Sequence, residues 1–216
     1  MHINILNVYD TTLYVIYPQL NYLRTISLFK KMKILSCDPG IKNLSYCYLD
    51  IIDNKPKIID WNTLCVIDNS ENCSKMLIDD IVNAVLISLN ENFGDKFEAD
   101  IVLIENQPML KNGVMKTISV VIYTYFNMMR LQYGNIQEVK FISATNKLKC
   151  KKGQNIIIKK DTYKDRKKNS IELVKLYITE MFPEKVEWFN KLKKQDDASD
   201  CCLQAIYYIE KVLKLL

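Results

Sequence analysis

An aspartate at the end of an apolar run constrains the fold of this chain more than any other feature. Residues 33–37 form the run, and Asp38, Pro39 and Gly40 follow it directly. Aspartate, proline and glycine all favour turns, and residues 44–51 alternate as expected of a second strand. Because a carboxylate is costly to bury without a partner, Asp38 is either an ordinary turn residue or a functional side chain delivered by a strand.

The remaining hydrophobic pattern predicts an α/β fold. We expect strands at residues 33–37, 44–51, 57–67, 101–104 and 137–142, and helices at residues 76–89, 114–131, 170–181 and 198–216. Residues 147–168 lack an apolar period, apart from 156–158, and are expected to form a basic loop. This order of elements is that of an RNase H-like fold, with a mixed five-stranded sheet flanked by helices.

The chain of 216 residues is long enough for one domain with a full core, which we place at residues 32–216. Residues 1–31 are apolar and rich in tyrosine, and are expected to be an N-terminal extension outside that core. No apolar run approaches the roughly 18 residues that span a bilayer, so no membrane association is expected. Seven cysteines without a CxxC pair favour a reducing, intracellular compartment over a disulfide framework or a zinc ribbon. A mitochondrial targeting segment is a minor alternative, because the extension has few acidic residues.

Three further acidic residues accompany Asp38. Glu105 ends the apolar run 101–104, which is typical of a strand buried on both faces. Asp197 and Asp200 are three residues apart at the start of the last helix, so they share a face at the edge of its apolar side. Asp196 is expected to lie farther towards solvent. Helix capping alone accounts for one or two of these C-terminal acids.

The available catalytic groups are limited, because His2 is the single histidine. This argues against Ser-His, Cys-His and histidine-ligated zinc chemistry and leaves carboxylates with Mg²⁺ or Mn²⁺. Carboxylates from two strands and one helix are what a two-metal phosphodiesterase requires, with the ions about 3.5–4 Å apart. We therefore predict a metal-dependent nuclease whose catalytic residues and metal ligands are Asp38, Glu105, Asp197 and Asp200.

Lysine and arginine dominate residues 140–168. Such a segment is often only a solvated loop, but beside a carboxylate site it is suited to DNA, because phosphate contacts supply most non-specific affinity. The expected DNA contacts are Lys149, Lys151, Lys152, Lys159, Lys160, Arg166 and Lys168.

The chain resembles the poxvirus Holliday junction resolvases, which are relatives of bacterial RuvC and of the fungal mitochondrial resolvases. The matching segments are residues 37–43 (CDPGIKN), 103–108 (LIENQP), 163–168 (YKDRKK) and 192–200 (LKKQDDASD). The resemblance implies an RNase H-like fold, a homodimer, two Mg²⁺ ions per active site for which Mn²⁺ substitutes, and paired nicks across a four-way DNA junction. It implies the same four catalytic acids and a catalytic lysine, for which we choose Lys167 with Lys168 as the alternative. It also points to a large DNA virus, and so to action where viral DNA is replicated.

Two other functions remain open from the sequence. One is a ribonuclease H that cuts RNA in RNA/DNA hybrids, and the other is a catalytically inactive protein that only binds junctions. The basic run and the long helix at residues 114–131, which is suited to dimerisation, favour the resolvase. Four acids in this order argue against an inactive protein, because a binding module has no need of carboxylates that repel one another.

Overall fold

The structure, a computed structural model, describes residues 31–68, 70–110, 112–155 and 162–216. Its strands are β1 (Lys31–Asp38), β2 (Asn43–Ile52), β3 (Lys55–Cys65), β4 (Ala99–Asn106) and β5 (Ile136–Ser143). Its α-helices are α1 (Ile78–Asn92), α2 (Gly113–Tyr133), α3 (Tyr163–Met181), α4 (Val186–Lys191) and α5 (Gln195–Tyr207). Short 3₁₀ turns span Cys73–Lys75, Ala144–Lys149, Lys151–Asn155 and Pro183–Lys185, and a π-helical turn, Tyr208–Leu213, continues α5.

The five strands form one sheet in the order β3-β2-β1-β4-β5. The first three pair antiparallel, and the turn from β2 to β3 places Asp53 and Asn54 at φ values of 50° and 63°. Tight two-residue hairpins need such positive values, which aspartate and asparagine tolerate better than most residues. β4 pairs parallel with both β1 and β5. The C-terminal ends of β1, β4 and β5 therefore meet at one edge of the sheet.

Side chains from the two faces of the sheet pack into two separate cores. Leu35 on β1 and Ile104 on β4 face α1 and α2, whereas Ile34 and Leu103 face α3, α4 and α5. Since successive side chains of a strand point to opposite faces, every second residue after Ile34 or Leu103 also points towards α5. The predicted mixed five-stranded sheet flanked by helices is confirmed.

The prediction that residues 147–168 form a basic loop was wrong for the second half of that segment. Helix α3 begins at Tyr163, seven residues before the expected start at residue 170, and the Thr162 side chain caps it by accepting a hydrogen bond from the Asp165 backbone N–H. Lysine and arginine are good helix formers, so this first turn needs no apolar period. Earlier in the segment, residues 147–155 form 3₁₀ turns rather than an open loop, and residues 156–161 lie outside the described part of the chain.

The C-terminal prediction also differs in detail. Helix α5 begins at Gln195, three residues before the expected start, and its α-helical part ends at Tyr207. The short helix α4 was not predicted. Residues 1–30 of the expected extension lie outside the described residues. None of the described helices contains a stretch that is both long and apolar enough to cross a bilayer.

Candidate active site

The ends of two neighbouring parallel strands bring two of the predicted acids together. Cys37 on β1 is in register with Ile104 on β4, and Asp38 and Glu105 are the next residues of the two strands. Neighbouring strands lie about 4.8 Å apart, and the alternation described above points both carboxylates towards α5. Glu105 is 7% exposed and Asp38 is partly buried.

The turn after Asp38 depends on a glycine. A Cβ atom added to Gly40 would lie 1.9 Å from the carbonyl oxygen of Asn43, which is far inside any allowed contact. The chain can therefore reverse directly after Asp38 only with glycine at this position. This close approach explains the Asp-Pro-Gly segment that the sequence displays, and it fixes the carboxylate at the end of the strand.

Helix α5 brings the other two acids, Asp197 and Asp200, over the same edge. Two buried hydrogen bonds hold the helix against the sheet. Ser36 Oγ donates to Gln204 Oε1 at 2.9 Å, and Trp61 Nε1 donates to the Ala198 carbonyl oxygen at 3.0 Å. Ser36 lies two residues before Asp38, and Gln204 lies one helical turn after Asp200. The two acid-bearing elements are thus joined directly below the carboxylates.

The electrostatics of these carboxyl groups show that they form one cluster. Burial raises the pKa of Asp38 well above its usual range, and the negative charges of Glu105, Asp200 and Asp197 add to that rise. The pKa of Glu105 is raised by burial, and Asp200 adds to this effect. Burial and neighbouring acidic groups also raise the pKa of Asp197. The structure therefore assembles the four predicted acids at one place.

The ammonium group of Lys147 lies inside this cluster. Its Nζ is 3.3 Å from Glu105 Oε2 and forms an ion pair with Asp200 Oδ2, while Gln107 Nε2 donates to the other Glu105 oxygen at 3.0 Å. Burial on its own would lower the pKa of Lys147, but Asp200, Glu105 and Asp38 outweigh it and raise that pKa. Lys147 therefore stays charged and partly balances the carboxylates.

Sequence reasoning missed Lys147, which it left within the basic loop. One signal could have found it. β5 is parallel to β4 and ends at Ser143, so the 3₁₀ turn Ala144–Lys149 starts at the edge of the sheet where Glu105 also lies. The first lysine after a parallel strand of this sheet is therefore a candidate for the site.

The lysine predicted to be catalytic lies at the border of the cluster. Lys167 is on the second turn of α3 and forms an ion pair with Asp196. Burial would raise the pKa of Asp196, but the hydrogen bond and the charge of Lys167 lower it. The charge of Lys167 also opposes the rise in the pKa of Asp197. A catalytic role for Lys167 stays a prediction, as do the roles of the four acids.

The predicted DNA contacts in the 3₁₀ turns differ in their exposure and in their partners. Lys149 is exposed. Lys151 is also exposed, and its Nζ donates to the carbonyl oxygen of Leu216. Lys152 forms an ion pair with Glu180 on α3. All three stay candidates for phosphate contacts.

The other predicted DNA contacts lie on or before α3. Arg166 and Lys168 are exposed on its first turns, and Lys168 Nζ is 3.8 Å from Glu172. Lys159 and Lys160 lie outside the described residues. The two described side chains flank Lys167 in the sequence of α3.

The chemistry of the cluster suits a hard divalent cation, because Mg²⁺ and Mn²⁺ prefer carboxylate oxygens. Asp200 Oδ1 is also buried and has no hydrogen-bond partner among the described residues. As the side chains stand, no group of three acidic, cysteine or histidine side chains in the described ranges is arranged to hold a metal ion. Lys147 lies between Glu105 and Asp200. The donor set therefore fits such ions, provided that the Lys147 ammonium shifts when they bind.

Comparison with known sequences gives two matches. The profile of a family described as Poxvirus A22 protein matches residues 32–213 of this chain. A protein of Acanthamoeba polyphaga mimivirus, described as uncharacterized protein L451, is 30% identical over 122 residues, which are 52% of this chain and 29% of that protein. This chain thus matches less than a third of the length of that relative.

Comparison with solved structures gives the fold. The Fowlpox virus resolvase in complex with Holliday junction DNA has a TM-score of 0.57 and 24% identity, covering 84% of this chain and 99% of that one. The yeast mitochondrial Holliday junction resolvase Ydc2 has a TM-score of 0.56 and 19% identity, covering 90% and 88%. Thermus thermophilus RuvC with its Holliday junction substrate has a TM-score of 0.51 and 13% identity, covering 82% and 94%. The predicted RNase H-like fold of the RuvC type is confirmed.

We expect Asp38→Asn to raise the thermal stability of the protein in EDTA at neutral pH. A carboxyl pKa that is raised on folding contributes stability below about pH 3.9, the unfolded value, and that stability is lost as the pH rises through the folded value. The amide of the variant does not ionise and so avoids this loss of stability. The Tm advantage of Asp38→Asn over the wild-type protein should therefore shrink at acidic pH. In a domain of this size, 1 kcal/mol corresponds to about 2–4 °C in Tm.

The matched control is Asp95→Asn, which makes the same change at an exposed position and should leave Tm unchanged. Calorimetry or circular dichroism at several pH values measures both variants. A lower Tm for Asp38→Asn at neutral pH would contradict the electrostatic account of the cluster.

Proposed function

The chain belongs to the family of Poxvirus A22 proteins, and on this premise we propose that it is a metal-dependent endonuclease that resolves Holliday junctions and other branched DNA by paired nicks. The observation that supports this most strongly is the convergence of Asp38, Glu105, Asp197 and Asp200, with Lys147 paired to two of them. Two of the proteins with this fold were solved with Holliday junction DNA. A cluster of repelling carboxylates is costly for a protein that only binds DNA.

The four acids are the proposed ligands of two Mg²⁺ ions, for which Mn²⁺ would substitute. Bound ions of this kind supply an activated water and stabilise the charge of the departing 3′-oxygen. The task of the protein is then to hold Asp38 and Glu105 on rigid strand ends and Asp197 and Asp200 on one helix face. Positions fixed in this way need little rearrangement during the reaction.

Lys147 is the proposed lysine of the reaction. Its ammonium is already partly dehydrated inside the cluster, where a charge acts more strongly than in water. If ions bind the carboxylates, that ammonium is freed to contact the scissile phosphate and stabilise the charge that develops there. Lys167 is the second candidate, because its charge reaches Asp197.

Branched DNA is the proposed partner, and basic residues between positions 149 and 168 of the sequence are its proposed phosphate contacts. They are Lys149, Lys151, Lys152, Lys159, Lys160, Arg166 and Lys168. The chain has a formal net charge of +5, and the exposed cations among these residues lie in the segments that follow β5 and begin α3. Such contacts orient DNA without reading its sequence.

A homodimer is the proposed assembly, because a junction must be cut in two strands and each copy has one cluster. Helix α2 offers the surface. Val120, Met128 and Leu131 are 41%, 55% and 73% exposed, and their spacing places them on one face of the helix. The other apolar side of α2, which includes Ile118 and Phe126, is buried in the core.

The proposed place of action is inside the infected cell, where viral DNA is replicated. All seven cysteines are free thiols, and five of them are buried. Free thiols persist in reducing compartments. Residues 1–31 are proposed to be an extension to the nuclease domain at residues 32–216.

We expect the protein to nick a synthetic four-way junction in Mg²⁺ faster than a linear duplex of the same sequence or an RNA/DNA hybrid. Asp38→Asn should lower the nicking rate by at least about 100-fold. Junction binding should persist, because the lysines that contact phosphates remain. Asp196→Asn is the matched control on α5 and should retain activity. Preference for the RNA/DNA hybrid would indicate a ribonuclease H. Junction binding without nicking in Mg²⁺ or Mn²⁺ would indicate an inactive protein.

Variants of Lys147 and Lys167 should show which of the two lysines takes part in the reaction. At saturating protein, Lys147→Ala is expected to lower the single-turnover rate by about 10²–10³-fold, as for loss of one group that stabilises transition-state charge. Lys167→Ala is expected to have the smaller effect, because its partner Asp196 lies at the border of the cluster. Lys149→Ala should weaken binding and reduce the log–log salt slope by about 0.9 if it contacts one duplex phosphate. A normal rate for Lys147→Ala would exclude it from the reaction.

Replacing Met128 and Leu131 together by glutamate should convert a dimer to a monomer, because charges on the proposed interface must be dehydrated on association. Analytical ultracentrifugation with and without junction DNA measures this. Leu176→Glu is the matched control, since Leu176 is a similarly exposed apolar residue on α3. A wild-type protein that stays monomeric in both conditions would rule out the proposed assembly.

A further inference from the structure

A buried carboxylate outside the acidic cluster anchors the segment that contains Lys147. Glu210, in the π-helical turn after α5, is 6% exposed. Its Oε1 accepts a hydrogen bond from the Tyr177 hydroxyl at 2.7 Å, and its Oε2 accepts one from the Lys151 backbone N–H at 2.6 Å. The Tyr177 oxygen in turn accepts a hydrogen bond from the Lys152 backbone N–H at 3.2 Å. Tyr177 itself is 1% exposed.

Burial of the Glu210 carboxylate costs free energy that a purely structural contact does not require. Glu210 is acidic, yet the partners just described are a hydroxyl and a backbone amide. A buried carboxylate loses its hydration, and an apolar side chain of similar size would avoid that cost. The π-helical turn is itself unusual, and such turns are frequent at functional sites. What Glu210 offers that an apolar residue cannot is a fixed position for two successive backbone N–H groups.

Those two N–H groups belong to a turn that packs against the turn bearing Lys147. Cys150 is fully buried, and its Sγ lies within hydrogen-bond reach of two carbonyl oxygens, that of Lys147 at 3.2 Å and that of Leu203 on α5 at 3.5 Å. A Cβ atom on Gly153 would lie only 2.4 Å from the Leu148 carbonyl oxygen, so the two 3₁₀ turns are in close contact. A shift of the backbone at Lys151 would therefore move the turn from which the Lys147 side chain extends.

We propose that Tyr177 and Glu210 are positioning residues for Lys147, an inference that rests on the proposed role of Lys147 in junction cleavage. Through the Lys151 and Lys152 backbone they set where the 3₁₀ turn lies relative to the strand end that bears Glu105. Neither side chain touches the substrate. Their effect is on the geometry of the ammonium, and displacements of about 1 Å at a reacting group can cost about 100-fold in rate.

The test is Tyr177→Phe, which removes only the hydroxyl group. At saturating protein, where a change in junction Kd does not affect the rate, we expect the single-turnover rate on a synthetic four-way junction to fall about 10–100-fold, as for other supporting residues of active sites. In the Lys147→Ala background the same substitution should cause no further loss, because the group it positions is absent. Tyr48→Phe is the control, since Tyr48 donates a hydroxyl hydrogen bond to the Glu98 carbonyl oxygen away from the cluster.

A second readout does not depend on activity. In protein labelled with ¹⁵N-lysine, the Nζ signal of Lys147 is identified by its loss in Lys147→Ala. Tyr177→Phe should shift or broaden this signal, whereas Tyr48→Phe should not. If the wild-type protein cuts no junction, the proposed function fails, and this signal alone then decides the positioning role.

Glu210→Gln replaces Tyr177→Phe if the latter does not fold. Its amide can still accept from the Lys151 N–H and can donate to the Tyr177 oxygen, so we expect the same effects with a smaller rate loss. Equal losses with and without Lys147, or an unchanged Nζ signal in a folded variant, would overturn the proposal.

Discussion

The constraint on which the rest of the site depends is the repulsion among carboxylates that the fold forces together. Two unit charges 4 Å apart repel by about 4 kcal/mol near a protein surface, and this cluster contains four acids. Burial raises the pKa values of Asp38 and Glu105, and this repulsion adds to the rise. Lys147 offsets part of the repulsion by pairing with Glu105 and Asp200. The remainder has to be resisted by the framework that holds the acids.

That framework consists of neutral hydrogen bonds and packing immediately below the charges. Ser36 and Gln204 join β1 to α5, and Trp61 fixes the first turn of α5 through the Ala198 carbonyl. Each bond of this kind contributes about 1 kcal/mol, so none alone balances the repulsion. They act together with apolar cores on both faces of the sheet. The energy for assembling the site therefore comes from the core, while the hydrogen bonds determine where each acid lies.

Most of the fold and the four acids could be predicted from the sequence, because both depend on local patterns. A strand buried on both faces is an unbroken apolar run, and the acid that ends the run must lie at the edge of the sheet. This gives Asp38 and Glu105. Helical periodicity places Asp197 and Asp200 on a common face. The start of α3 was missed because its first turns consist of charged residues, which form a helix without an apolar signal.

Lys147 could not be distinguished from its neighbours by composition, because its environment is set by Glu105 and Asp200, which are 42 and 53 residues away. The structure separates it from the other lysines by burial. Ion pairs of exposed lysines such as Lys168 contribute only about 0–1 kcal/mol, so a phosphate of the proposed DNA partner would replace the protein partner at little cost. Lys147 is 16% exposed, and removing a partly buried charge from its partners costs considerably more. On the proposed function another cation would take its place among the carboxylates, so we expect the position of Lys147 to depend on metal binding.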